Sequence, residues 1–276
     1  MSTSSSTAAD FPPPSGRRTA LRMLDGALRV SAQRLGNYLG FMLLAAVLWQ
    51  LGIWLFHLPA YLLPGLQLIA GAFVEHLAEI AASTWLTLSA TLLGLLMATF
   101  IAALLALLFM ASPLLSEACM PLIIFVRTVP MIAIAPLLVL IFGRGSSNSI
   151  GMVALLSFFQ ILLAARQGFE APTRNMLELM HTCGASFWQT LFKLRIPSAM
   201  THLFTGLRIA SASAILCAMF AEWLSGAPGL GSLILDAYSR QDFAFMWAAV
   251  VVGTTVSYLF FTATIALERA VHDWSS

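Results

Sequence analysis

From Ile80 to Ser116 the chain carries not one Asp, Glu, Lys or Arg, and the same holds from Leu35 to Val74 and from Phe243 to Leu267. A soluble domain is about a quarter charged and has no place for three such tracts. A helix of about 20 apolar residues crosses the hydrocarbon core of a bilayer, so each tract is long enough to span it. Over the whole chain 59% of residues are hydrophobic and 9% charged, and mean hydropathy is +0.88. These features predict an all-α integral membrane protein.

Hydropathy places six spans at roughly 38–57, 84–110, 117–142, 149–167, 202–224 and 243–267. Arg127 and Arg208 interrupt the third and fifth. Between the first two spans, Pro59 and Pro64 mark a turn, and Leu66 to Ile80 reads as a short helix at the interface. The first residues, MSTSSSTAADFPPPSGRR, are rich in Ser, Thr and Pro. They lack the apolar core of a cleavable signal and are expected to be a disordered tail. The pair Arg17-Arg18 resembles a twin-arginine signal, but the apolar run that starts near Leu39 is too long for one. From Ala20 to Leu35 the leucines share one helical face and Arg22, Arg29 and Arg34 lie largely off it. That pattern fits either an amphipathic helix on the membrane surface or a solvated lead-in. The expected organisation is a tail with this interfacial segment over 1–36, a membrane domain over 37–270 and a second tail over 271–276.

Charge reports orientation here. With an even number of spans and five arginines before the first, the positive-inside rule puts both termini in the cytoplasm. Arg166, Arg174, Lys193, Arg195 and Arg269 then fall inside too, while Arg144 and Arg240 fall outside. A net charge of +2 with no basic patch gives no reason to expect nucleic acid as a partner. Cys119, Cys183 and Cys217 are odd in number and lie in or beside apolar segments, so small-residue packing is expected of them rather than disulfides.

The segment that breaks this apolar pattern is ELMHTCGASFWQTLFKLRIPSAM, residues 178–200, which the topology places in the cytoplasm. Pro172 suits a first helical turn, and Arg174 to Cys183 reads as an amphipathic helix. Gly184 permits the left-handed ending of a helix. Ser186 with Gln189 three residues later is a capping-box pattern that starts a second helix, with Phe187, Trp188, Leu191 and Phe192 on one side. Pro197 is expected to limit it. Two short helices joined by a glycine bend result, with more apolar surface than water tolerates, so they are expected to dock on the spans or on another protein.

The series Glu178, Gly184-Ala185-Ser186 and Ile196-Pro197 resembles the "EAA" loop of binding-protein-dependent ABC import permeases. Leu179 and Met180 stand where that loop has alanines. FVRTVPMIAIAPLLVLIFGRG at 125–145, TGLRIASA at 205–212 and AEWLSGAPGLGSLI at 221–234 are similar to the sulfonate, nitrate and taurine branch of the same family. The likeness runs from about Leu63 to Arg269. It implies six spans with a cytoplasmic coupling helix over about 170–197, as in type I importers. Glu178, Leu179, Met180, Gly184, Ala185, Ser186 and Pro197 would be the positions that meet a separate ATPase, present in two copies. The resemblance further implies a homodimeric permease in the bacterial inner membrane, surrounded by lipid. A binding protein, periplasmic or lipid-anchored, would deliver a small solute to it, an anion such as a sulfonate, taurine or nitrate.

The residues agree that ATP is handled elsewhere. No G-x-x-x-x-G-K-[ST] occurs and the one lysine, Lys193, precedes Leu194, so ATP and Mg are expected on the partner and no cofactor on this chain. The five histidines have no metal-ligand spacing and no G-x-S-x-G elbow is present, so neither a metal site nor catalysis is expected. Arg127, Pro130, Met131 and Arg208 are candidates for the solute path. A guanidinium in a span normally faces the bundle interior or a wet cavity, and prolines are tolerated where helices bend around one. Arg127 could equally snorkel to the surface or pair with Glu117, and Arg208 could snorkel from its helix end. An ion-gradient-driven transporter is the alternative. It would need carboxylates inside the spans, and none is expected there.

Overall fold

The computed structural model describes residues 40, 43–44, 46–57 and 59–275, and its chain divides after Pro59 into two units. In the first unit, Ala46–Phe56 (α1) is a short apolar helix within the span expected at 38–57. The N-terminal tail and the segment from Ala20 to Leu35 lie outside the described residues.

The described residues of the second unit form helices and the turns between them, with no strand. Its first two helices are Leu66–Glu75 (α2) and Leu77–Ala111 (α3). The expected helix from 66 to 80 therefore stops short at Glu75. His76 breaks it with φ −103° and ψ 21°, and contacts from far along the chain hold the break. The His76 ring stacks on Phe245 with centroids 4.1 Å apart, and it stands 3.7 Å from Glu79 and 4.0 Å from Asp242. Hydropathy sees none of these contacts, and α3 begins seven residues before the span expected at 84–110.

The third expected span is not one helix. Pro113–Thr128 (α4) and Met131–Phe142 (α5) are bent by 106° at Val129 and Pro130. A proline pushes the residue before it out of the α region, and Val129 has ψ 128°. Pro130 also lacks an N–H to continue the ladder. The helix restarts where the Ala133 N–H donates to the Pro130 carbonyl at 2.9 Å.

Ser146–Glu170 (α6) is the central post, packed along α3 on one side and Ile196–Ser225 (α9) on the other. Met152, Val153, Ile161, Leu162 and Ala165 on α6 are fully buried. Lipid supplies no hydrophobic drive between helices in a membrane, so small residues that let backbones approach must do the work. Gly168 is one: a Cβ there would come within 2.7 Å of the Ala199 Cα.

Arg174–Thr182 (α7) and Phe187–Thr190 (α8) follow α6, and a π turn over Leu191–Arg195 joins α8 to α9. Pro197 does not end the second helix of this segment, contrary to expectation. The helix runs unbroken from Phe187 to Ser225. A proline in an α-helix clashes with the carbonyl four residues earlier, and the wider π turn just before Pro197 relieves that clash. Leu230–Ser239 (α10) and Phe243–Ser275 (α11) complete the unit. Asp242 caps α11 by accepting from the Phe245 N–H at 3.0 Å. The expected tail at 271–276 is helical through Ser275. Among the described residues four helices are long and apolar enough to cross a membrane, and the bent α4–α5 pair makes a fifth.

The contacts fix the two ends of the bundle. Gly168 on α6 meets Ala199 and His202 near the start of α9, beside α7 and α8. At the far end the Asn148 amide donates to the Ala221 carbonyl at 3.4 Å. There the Glu222 side chain, 1% exposed, accepts at Oε2 from the Thr87 hydroxyl on α3 and the Gly231 N–H on α10, both at 2.9 Å. The same Thr87 oxygen accepts from the Leu230 N–H at 2.9 Å.

Candidate functional site

At the near end, α7, the Cys183–Ser186 turn and α8 form a knob outside the bundle. Pro172 lies before α7 rather than in its first turn, and Thr173 caps the helix, its hydroxyl accepting from the Met176 N–H at 3.4 Å. The helix ends at Thr182 rather than Cys183, and its closure is a complete Schellman motif. Gly184 has φ +69°, its N–H donates to the His181 carbonyl at 2.9 Å, and the Ala185 N–H donates to the Met180 carbonyl at 3.0 Å. The expected capping box opens α8: the Gln189 N–H donates to the Ser186 hydroxyl at 3.3 Å, and the Ser186 N–H donates to the Gln189 side chain at 2.8 Å. Caps of this kind are worth about 1 kcal/mol each.

This rigid turn presents an apolar surface that nothing in the described chain covers. Neither α7 nor α8 has a buried residue. Leu179 is 63% exposed, Phe187 59%, Trp188 64% and Phe192 62%. The aromatics brace one another: Trp188 stacks on Phe192 with centroids 6.1 Å apart and meets Phe187 edge-on at 5.7 Å. A shallow cavity of about 190 Å³ lies between Leu177, Phe187, Leu191 and Arg195. Glu178, Leu179, Gly184 and Ser186 are exposed on the knob, and Met180 and Ala185 are half-buried. Pro197 is set apart from them, above the π turn.

The candidate path residues are not brought together. Arg127 is exposed at the last turn of α4, with Pro130 and Met131 at the bend that follows. No ion pair to Arg127 occurs among the described residues, so Glu117 does not neutralise it. Arg208 is committed elsewhere. Its guanidinium pairs with Glu268 on α11 at 3.2 Å, and Glu268 also accepts from the Thr205 hydroxyl at 2.7 Å. One turn further along, the Ser211 and Thr264 hydroxyls are 2.7 Å apart. These groups tie α9 to α11. Beyond them a cavity of about 440 Å³ opens between the two helices, beside Leu216, Met219, Ser257, Tyr258 and Phe261, and none of the described residues that line it is charged.

The expectation of no carboxylate inside the spans fails at Glu222, which the sequence sets at the membrane edge of the 225–231 turn to cap or pair within the bundle, and Glu268 was missed altogether. Glu222 lies inside the long helix and is buried, and Glu268 turns back onto the bundle. For Glu222 a signal existed: it falls within the expected 202–224 span.

The match to known proteins covers most of the chain. Residues 90–274 match the family described as binding-protein-dependent transport system inner membrane component. A probable ABC transporter permease protein of Haemophilus influenzae is 32% identical, over 83% of this chain and 93% of that one. The formylaminopyrimidine transport permease protein ThiX of Halalkalibacterium halodurans is 31% identical, over 85% of this chain and 94% of that one. The riboflavin transport system permease protein RibX of Chloroflexus aurantiacus is also 31% identical, over 85% and 88%. In backbone, the chain resembles the inward-facing MetNI methionine ABC transporter at a TM-score of 0.60 and 20% identity, over 71% of this chain and 98% of that one, which bears on the fold alone. The chain therefore belongs to the binding-protein-dependent transport system inner membrane component family, as a membrane-embedded permease subunit of an ABC importer.

Proposed function

We propose that the knob built from α7, Gly184–Ser186 and α8 is the seat of a separate ATP-hydrolysing subunit, and that its motion is carried into the bundle by the helix that begins at Phe187. The observation that carries this reading is the combination of a fully capped turn with exposed Leu179, Phe187, Trp188 and Phe192. A surface ordered at that cost without covering any part of its own bundle is made for a partner. The helix of 39 residues is about 58 Å long, against a hydrocarbon core of about 30 Å, so it can cross the bilayer and still project from it.

The knob end is cytoplasmic in this reading. Arg166, Arg174, Lys193, Arg195 and Arg269 gather there, while Arg144 and Arg240 lie at the far end, which is the asymmetry the positive-inside rule expects. Both termini are then inside. A binding protein delivers solute to the far face, two copies of the permease enclose the path, and two ATPase subunits bind ATP and Mg below. Sequential closing and opening of the paired knobs exposes the path to one side and then the other.

Replacing Gly184 with Val tests the seat. A β-branched residue at φ +69° is a steric outlier, whereas Asn tolerates that region. Gly184→Val is expected to insert normally but to lose most transport-coupled ATPase activity, and Glu178→Lys to do the same. Gly184→Asn should retain it. Normal coupling in the Val and Lys variants would reject the knob as the seat.

The cargo we propose is a small, uncharged or weakly charged nitrogen heterocycle rather than a sulfonate or nitrate. Relatives of this chain are named for formylaminopyrimidine and riboflavin, and others for taurine, aliphatic sulfonates and bicarbonate; the rings are favoured because Arg208 is paired with Glu268 and none of the described residues lining the cavity between α9 and α11 is charged. Calorimetric titration of the cognate binding protein is expected to give affinity for such rings at least 100-fold above that for taurine or nitrate; the opposite order would restore the anion.

A further inference from the structure

Glu222 is buried at a price that fold stability does not explain. Removing a carboxylate from water costs several kcal/mol even after relaxation, and an apolar side chain of similar volume usually serves packing better. Ionisable groups kept inside membrane bundles are as a rule there for function. What distinguishes this one is how many elements it holds. It stands on α9, its Oε2 receives hydrogen bonds from Thr87 on α3 and from Gly231 in the first turn of α10, and Thr87 in turn receives the Leu230 N–H.

The turn between α9 and α10 is moulded around the carboxylate. Gly226 takes the left-handed conformation at φ +68°. Gly229 lies so close that a Cβ would run into the carboxyl group of Glu222, and a Cβ on Gly231 would run into the carbonyl oxygen of Met219. Ser225 fastens the start of the turn, accepting from the Ala227 N–H at 3.3 Å, and Ser232 fastens its end, accepting from the Gly229 N–H at 3.1 Å. There is no slack between α9 and α10. The outward face of α10 carries Leu235, Asp236 and Tyr238, all exposed, and the helix packs along α11. At the other end of the same unbroken helix stand Phe187 and Trp188 of the knob.

We propose that Glu222 is a positioning residue that clamps α10 to α3 and α9, so that the seating of a loaded binding protein on the far face is passed down α9 to the ATPase seat. The inference rests on the function proposed above and adds to it the group through which the outer face signals to the inner one. Stiffness along a helix axis carries the displacement, and the carboxylate supplies the joint at its outer end.

The test is the full transporter, permease with its ATPase in nanodiscs, assayed for ATP hydrolysis with and without saturating loaded binding protein. Thr87→Val keeps the shape of the side chain and removes the hydroxyl; Thr87→Ser keeps the hydroxyl; Glu222→Met removes the oxygen that accepts from Thr87 and Gly231. Thr87→Val and Glu222→Met are expected to keep basal hydrolysis within about twofold of the parent while stimulation by the binding protein falls at least fivefold. Thr87→Ser is expected to restore it. Unchanged stimulation in Thr87→Val and Glu222→Met overturns the proposal. So does a fall of basal and stimulated rates in equal proportion, the mark of a purely structural contact, or a Thr87→Ser variant as defective as Thr87→Val. A parent chain with which no ATPase assembles overturns the function proposed above and this inference with it, and that failure is visible before any variant is made.

Discussion

Trp188→Ala combined with Phe192→Ala is expected to weaken capture of the ATPase subunit by about 30-fold or more, while leaving the permease as stable as before. Both side chains are more than half exposed and they stack mainly on each other, so truncating them removes little that holds the bundle. Aromatic anchors at the centre of protein interfaces commonly cost about 2 kcal/mol or more on truncation, which is the origin of the 30-fold figure. Titration of the purified ATPase against the permease in nanodiscs measures the first effect and thermal unfolding the second. Unaltered ATPase affinity would show that the partner, if it docks here, does so without the aromatic face.

Gly231→Ala carries the largest expected effect on stability. The new methyl group would strike the carbonyl oxygen of Met219. No side-chain rotation relieves a clash between two backbones, so α10 must lift off α9. Overpacking of this kind costs about 1–3 kcal/mol, and the Gly231 hydrogen bond to Glu222 is disturbed as well, leaving a buried acceptor underused. For a chain of this size that corresponds to a loss of about 5–10 °C in Tm. Gly71→Ala is the control: Gly71 sits in α2 with open space where its Cβ would go, and a glycine in a helix interior is about 1 kcal/mol worse than alanine. It should unfold at the parent's temperature or slightly above. Equal stability of the two variants would mean that the α9–α10 turn is looser than its geometry.

The parts of this molecule that could be read in the sequence are those governed by local chemistry. Two of the three charge-free tracts, Ile80 to Ser116 and Phe243 to Leu267, fall on helices long enough to span a membrane, because length and hydropathy alone decide that question. The glycine bend at Gly184 and the capping box at Ser186 and Gln189 were legible because both motifs close within six residues. The bend at Val129 and Pro130 was not, since hydropathy measures how much apolar chain there is and carries no angle. Nor were the partners of Glu222 and Arg208. Glu222 meets a threonine 135 residues away, and Arg208 meets a glutamate beyond the expected end of its span, pairings that exist only once α3, α9 and α11 lie side by side. His76 illustrates the same limit, because what breaks α2 from α3 there is a ring on α11.

The wide turn at Leu191–Arg195 has a consequence for how such proteins change. Each residue added to or removed from a helix rotates everything beyond it by about 100°. A turn that already accommodates a surplus residue is a phase adjuster set between the aromatic face and the spans, and deleting one of its exposed positions would swing Phe187 and Trp188 to a new compass bearing while leaving the helix beyond Pro197 in place. Permeases sharing this bundle could by that route re-aim themselves at differently shaped motors.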